Sequence, residues 1–193
     1  MILASRTEII RLLFFISINN RILNMKIYYI KLNDEDVKGL TRREIKQLQS
    51  KLGKRIVDFI GEKIFNIENR SLIINNNKPE FEYSDIQFNI SHSNRIIIAA
   101  FDDSPLGIDV EYMKERDFKK LAKHYSINTY DKTEFYKKWT QLEAEIKIQS
   151  EIRQTFSTKF ENDYMLTITS SNPETLTLEI NQLKDFKELS STF

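Results

Sequence analysis

The run Lys26-Ile27-Tyr28-Tyr29-Ile30-Lys31-Leu32 is rich in β-branched and aromatic residues and predicts a strand, closed by the polar block Asn33-Asp34-Glu35-Asp36. Beyond it the apolar period changes. Ile45, Leu48, Leu52, Ile56, Phe59 and Ile60 recur at helical spacing, with Arg42, Arg43, Lys46, Lys51, Lys54 and Arg55 as a basic flank, which predicts an amphipathic helix of about five or six turns. Gly53 and Gly61 each weaken that helix by up to ~1 kcal/mol relative to alanine, so close packing against another element is the expected reason for them. Asn75-Asn76-Asn77-Lys78-Pro79 reads as a turn, after which residues 86–90 alternate apolar and polar. A turn over residues 91–94 then precedes an apolar run, residues 95–101, suited to a buried strand, and so His92 falls at a strand end.

Residues 107–111 alternate again and predict a strand after the Pro105 turn. A short helix through Phe118, Leu121, Ala122 and Tyr125 follows, then a longer one from Thr133 as N-cap to about Gln149, with an apolar stripe of Phe135, Trp139, Leu142 and Ile146. Strands are expected at 155–160, 164–169 and 175–180, with a tail over 181–193. The pattern gives an α+β fold of two similar lobes, 25–104 and 105–193, each with antiparallel strands against a long helix. Residues 1–24 read as an N-terminal extension. Their apolar stretch, 11–18, is shorter than the ~20 residues of a membrane span and is followed by no small-x-small cleavage site.

A chain of 193 residues is long enough to bury a core without staples. The absence of cysteine excludes disulfides and thiolate chemistry and agrees with a cytoplasmic location. With 29 Lys and Arg against 28 Asp and Glu there is no global field, so neither nucleic acid nor membrane is expected as a partner, and an anion must be held locally. A monomer is expected. The four glycines are too scattered for a glycine-rich phosphate loop.

On the strand Gly107-Ile108-Asp109-Val110-Glu111, Asp109 and Glu111 share one face. Adjacent carboxylates repel, and they sit either on a solvated face or around a hard cation such as magnesium. Ser91 and Ser93 flank His92 with hydroxyls, a donor set that suits an oxyanion. Glu143 and Lys147, four apart on the second long helix, are neighbours, although such pairs also decorate helix surfaces for only ~0.2–0.5 kcal/mol.

Four blocks in order, residues 77–81 (NKPEF), 88–93 (FNISHS), 105–111 (PLGIDVE) and 139–147 (WTQLEAEIK), resemble the 4'-phosphopantetheinyl transferases of the surfactin-synthetase-activating type. The resemblance implies two pseudo-repeated α+β lobes and a magnesium ion held by Asp109, Glu111 and Glu143. It implies Lys147, Ser91 and His92 near the phosphates of coenzyme A, Lys78 and Pro79 beside the nucleotide, and Lys54 near the 3'-phosphate. The implied reaction moves 4'-phosphopantetheine from coenzyme A to a serine of an apo acyl or peptidyl carrier protein and releases 3',5'-ADP. Glu143 or a magnesium-bound water is the implied base, with Lys147 and His92 assisting. The chain departs from the family pattern at Leu142, where a lysine is usual, and it lacks the glycine-containing loop after Lys147. An alternative reading is therefore a catalytically impaired relative that binds coenzyme A or carrier protein without turnover.

Overall fold

The computed structural model describes residues 25–129, 131–174 and 177–183. The expectations for 1–24, for the start of the last strand and for the tail beyond 183 lie outside these. The chain begins with β1 (Met25–Lys31), a 3-10 turn (Glu35–Val37) and α1 (Arg42–Lys63). Thr41 starts α1 through a capping box: its hydroxyl accepts from Glu44 N, and the Glu44 carboxylate accepts from Thr41 N at 2.7 Å. Then come β2 (Leu72–Asn75), β3 (Lys78–Phe81), β4 (Gln87–Ser93), β5 (Ile96–Asp102) and β6 (Leu106–Tyr112). The second half holds α2 (Phe118–His124), α3 (Lys132–Ile148), β7 (Gln154–Phe160), β8 (Tyr164–Ser170) and β9 (Leu178–Gln182).

The architecture is α+β. One sheet runs β4-β5-β1-β9, a second runs β6-β8-β7, and β2-β3 is a separate hairpin. The first sheet has α1 on one face, where Leu52, Ile56 and Ile60 bury against Tyr28, Ile97, Ala99 and Phe101. Its other face meets the second sheet, and Ile27, Ile96, Ile98, Ile108, Val110, Leu166 and Ile168 fill the space between. This explains why β5 is buried at every position and apolar from Ile96 to Phe101: it is covered on both sides. The outer face of the second sheet carries α3. Among the described residues no helix is long and apolar enough to cross a membrane.

Gly53 and Gly61 are close-packing positions, as expected. A Cβ at Gly53 would meet Ile90 at 2.8 Å, and one at Gly61 would meet the Phe81 ring at 3.0 Å.

Several expectations are corrected. The stretch 75–79 is not one long turn. Only Asn76 (φ 48°) and Asn77 (φ 65°) bend the chain, two left-handed residues in the manner of a tight hairpin turn, and Lys78 and Pro79 open β3. Residues 91–93 belong to β4, so that His92 lies inside a strand and the turn falls at Asn94 (φ 51°). The cap of α3 is Asp131, whose carboxylate accepts from Glu134 N at 2.8 Å, and not Thr133. The buried face of α3 is Phe135, Tyr136, Thr140, Ala144 and Ile148, whereas Leu142 (45%) and Ile146 (70%) stand exposed. The last strand, β9, pairs in parallel with β1, so the chain returns across the boundary expected at residue 104 and the strands are not all antiparallel.

Candidate functional site

The two sheets meet along β4 and β6. Alternation along β4 sends Phe88 and Ile90 to the α1 side and Asn89, Ser91 and Ser93 toward β6. The edge N–H groups of β6 would otherwise be buried without partners. Asn89 Oδ1 accepts from Ile108 N (3.3 Å), Ser91 Oγ from Val110 N (3.2 Å) and Ser93 Oγ from Tyr112 N (3.1 Å). Each serine proton then goes to a carboxylate: Ser91 Oγ donates to Asp109 Oδ1 at 2.8 Å and Ser93 Oγ to Glu111 Oε2 at 2.7 Å.

Above this seam lies the C-terminal half of α3. Gly107 lets it come close, because a Cβ there would collide with the Ala144 carbonyl oxygen. Thr169 Oγ1 donates to that oxygen at 3.2 Å, and Thr140 and Thr167 share a hydroxyl contact of 2.7 Å. The approach brings Lys147 Nζ to 2.7 Å from Asp109 Oδ1, 3.1 Å from Ile108 O and 3.3 Å from Ser91 Oγ.

Beside the seam is a cavity of about 580 Å³. Its walls are α1 (Ser50, Lys54, Val57), the β2-β3 hairpin (Leu72, Asn76, Asn77, Lys78, Pro79), β4 (Phe88, Asn89, Ile90, His92) and the end of α3 (Ile146, Lys147, Gln149). Lys54, Lys78, Pro79, His92 and Lys147, read separately from the sequence, thus share one chamber. Ser91 lies at the seam, engaged with Asp109. Burial lowers the Lys78 pKa below its ordinary value, and Lys78 Nζ reaches the Leu106 carbonyl at 3.5 Å. Burial likewise lowers the His92 pKa, with Lys147 and Lys46 adding to the effect, so the imidazole is neutral at pH 7.

Asp109 is 4% exposed, and its Oδ2 is a buried oxygen without a hydrogen-bond partner. Burial raises its pKa more than the Lys147 charge and the Ser91 hydroxyl lower it. Burial also raises that of Glu111, against the opposing bond from Ser93. An orphaned carboxylate oxygen beside a second carboxylate fits a hard cation, whose charge would relieve both penalties. Glu143 is half-buried on α3, but among the described residues no three acidic or histidine groups stand close enough to hold a metal by themselves. Sequence reasoning passed over Asn89, Asn76, Asn77 and Gln149 as cavity walls and Ser93 as a carboxylate partner; the two-residue spacing of Asn89, Ser91 and Ser93 was the available signal.

No family model matches the chain. Curated relatives do. A 4'-phosphopantetheinyl transferase named gsp from Aneurinibacillus migulanus is 30% identical over 112 residues, 51% of this chain and 47% of the relative. One named Sfp from Bacillus subtilis strain 168 is 40% identical over 73 residues, 33% of each chain. A third, psf-1 from Bacillus pumilus, is 26% identical over 160 residues, 64% of this chain and 68% of the relative. The chain therefore spans about half and a third of the length of the first two relatives it matches. Motifs and relatives agree, and the similarity of this chain is to the 4'-phosphopantetheinyl transferases of the Sfp type.

Proposed function

We propose that the protein transfers 4'-phosphopantetheine from coenzyme A to a serine hydroxyl of an apo acyl or peptidyl carrier protein, in the cytoplasm and with magnesium. The observation that carries this reading is one chamber in which Lys54, Lys78, His92 and Lys147 surround a cavity flanked by the Asp109 and Glu111 seam. A pyrophosphate and a 3'-phosphate need fixed cationic donors where no glycine-rich loop exists, and three lysines from three elements supply them. Pro79 and Val57 offer apolar walls to a nucleotide base.

In the reaction the carrier serine oxygen bonds to the β-phosphorus, the bond from that phosphorus to the bridging oxygen breaks, and 3',5'-ADP leaves with the bond electrons. Lys147 and Lys78 meet the charge that builds on the phosphate oxygens. His92, neutral at pH 7, donates a hydrogen bond and no charge. Glu143, free of side-chain partners among the described residues, is the residue proposed to accept the serine proton. Asp109 and Glu111 are the residues that would hold magnesium, with Asp109 Oδ2 as the oxygen without a donor, and Glu143 would join them only by approaching from α3. When bound, magnesium supplies positive charge that neutralises the pyrophosphate.

A second reading, a relative that binds coenzyme A or carrier protein without turnover, is favoured by Leu142, which stands where the family pattern has a lysine. Incubation with coenzyme A, magnesium and apo carrier protein, followed by mass spectrometry, separates the two. A mass gain of one phosphopantetheine per carrier supports transfer. Coenzyme A binding with no gain on any carrier tried overturns transfer in favour of the second reading.

A further inference from the structure

We propose that Ser93 is a positioning residue, whose hydroxyl fixes Glu111 for cation ligation as the Ser91 hydroxyl fixes Asp109. The inference rests on the metal-dependent reading above. It starts from the proton count of a hydroxyl, which has one hydrogen to give and two lone pairs to receive with. A backbone N–H can only donate. Tyr112 N, 3.1 Å from Ser93 Oγ, therefore takes a lone pair and leaves the hydroxyl proton for Glu111 Oε2 at 2.7 Å. The direction of the bond is dictated by the strand next door.

Ser91 repeats the arrangement two residues earlier, with Val110 N at 3.2 Å and Asp109 Oδ1 at 2.8 Å. β4 and β6 thus run in a register where each serine joins the N–H of one residue to the carboxylate of the residue before it. A random polar contact would occur at one rung. Here both rungs carry it, each tying down one carboxylate oxygen, and on Asp109 the other oxygen is left without a donor. Asn89 forms the third rung with Ile108 N, but the residue before Ile108 is Gly107, which has no carboxylate to orient. The seam as a whole is structural, and the two hydroxyl rungs add orientation of ligands that would otherwise choose among rotamers.

The test compares wild type, Ser93→Ala and Ser93→Thr by titrating magnesium into the protein with coenzyme A bound and reading heat or the thermal midpoint, with no turnover required. Loss of an outer hydrogen bond to a metal ligand weakens the metal about tenfold or more, and that is the shift expected for Ser93→Ala, with most of it restored by Ser93→Thr. A merely structural serine would lower the midpoint without moving the magnesium concentration at half-effect. An unchanged titration in Ser93→Ala, or no recovery in Ser93→Thr, overturns the positioning role while the metal reading stands. A wild type that takes up no magnesium overturns both. Should Ser93→Ala fail to fold, Ser93→Cys, similar in size with only a weak donor, is read in the same way.

Discussion

Asp102, at the end of β5, is 2% exposed and accepts from the Asp103 N–H at 2.8 Å. Burial, with the Asp103 charge adding to it, pushes its pKa from 3.8 up to about 7. The folded state therefore binds this proton more tightly than the unfolded chain, and the site subtracts stability as pH rises from 3.8 toward 7. Asp102→Asn keeps the acceptor and removes the charge. It is expected to raise the unfolding midpoint by several degrees near pH 8 and to lose that advantage by about pH 4, as thermal melts across pH would register. Asp109 differs in outcome although burial raises it too. Asp109→Asn is expected to leave the midpoint level or higher, because a desolvated charge goes, while transfer disappears. Near-normal turnover of that variant in magnesium would exclude Asp109 from the site. These two carboxylates also mark what sequence can and cannot convey: the spacing of Asp109 and Glu111 announced paired charges, whereas the near-neutral Asp102 needed the burial that only the folded chain supplies.

At the level of elements, α3 decides where Lys147 goes. Gly107→Ala would drive a methyl into the Ala144 carbonyl, which is helix backbone and cannot step aside without moving α3. Overpacking of this kind costs about 1–3 kcal/mol or more, and the Lys147 contact with Asp109 is expected to be lost with it; urea melts and coenzyme A titration measure the two effects. Leu142 follows from the same helix. Periodicity alone put it in an apolar stripe with Trp139 and Ile146, since the buried side of α3 is marked by Thr140 and Ala144, which carry little hydrophobic signal. Being 45% exposed and one turn from the cavity-lining Ile146, it can become lysine without burying a charge. Leu142→Lys is thus expected to keep the midpoint and to tighten coenzyme A by at most ~1.5–3 kcal/mol; a lower midpoint with no gain in affinity would refute the missing-cation account. The β2-β3 hairpin was illegible for the opposite reason. Leu72, Ile73 and Ile74 are all exposed, so no alternation distinguishes a face, and only the turn asparagines betrayed it.

Across the whole molecule, the cavity draws its walls from distant parts of the chain. Its walls come from residues 50–57, 72–79, 88–92 and 146–149, so the first and second halves of the chain must be docked before it exists. Sequence order could flag its cations because each sits in a recognisable block, but their convergence depends on the β4 and β6 seam, whose partners are 18 or 19 residues apart. A ligand that touches all four segments binds only the folded, docked chain, and at a hundred times its dissociation constant it adds about 2.7 kcal/mol of stability. Coenzyme A is therefore expected to raise the thermal midpoint and to slow amide hydrogen exchange in all four segments together, including the otherwise exposed β2. The same experiment on Lys78→Ala, which removes the buried cation contributed by that hairpin, is expected to lose protection in all four at once and not in the hairpin alone. Protection confined to one segment, or an equal midpoint with and without coenzyme A, would mean that this chamber is not where the nucleotide binds.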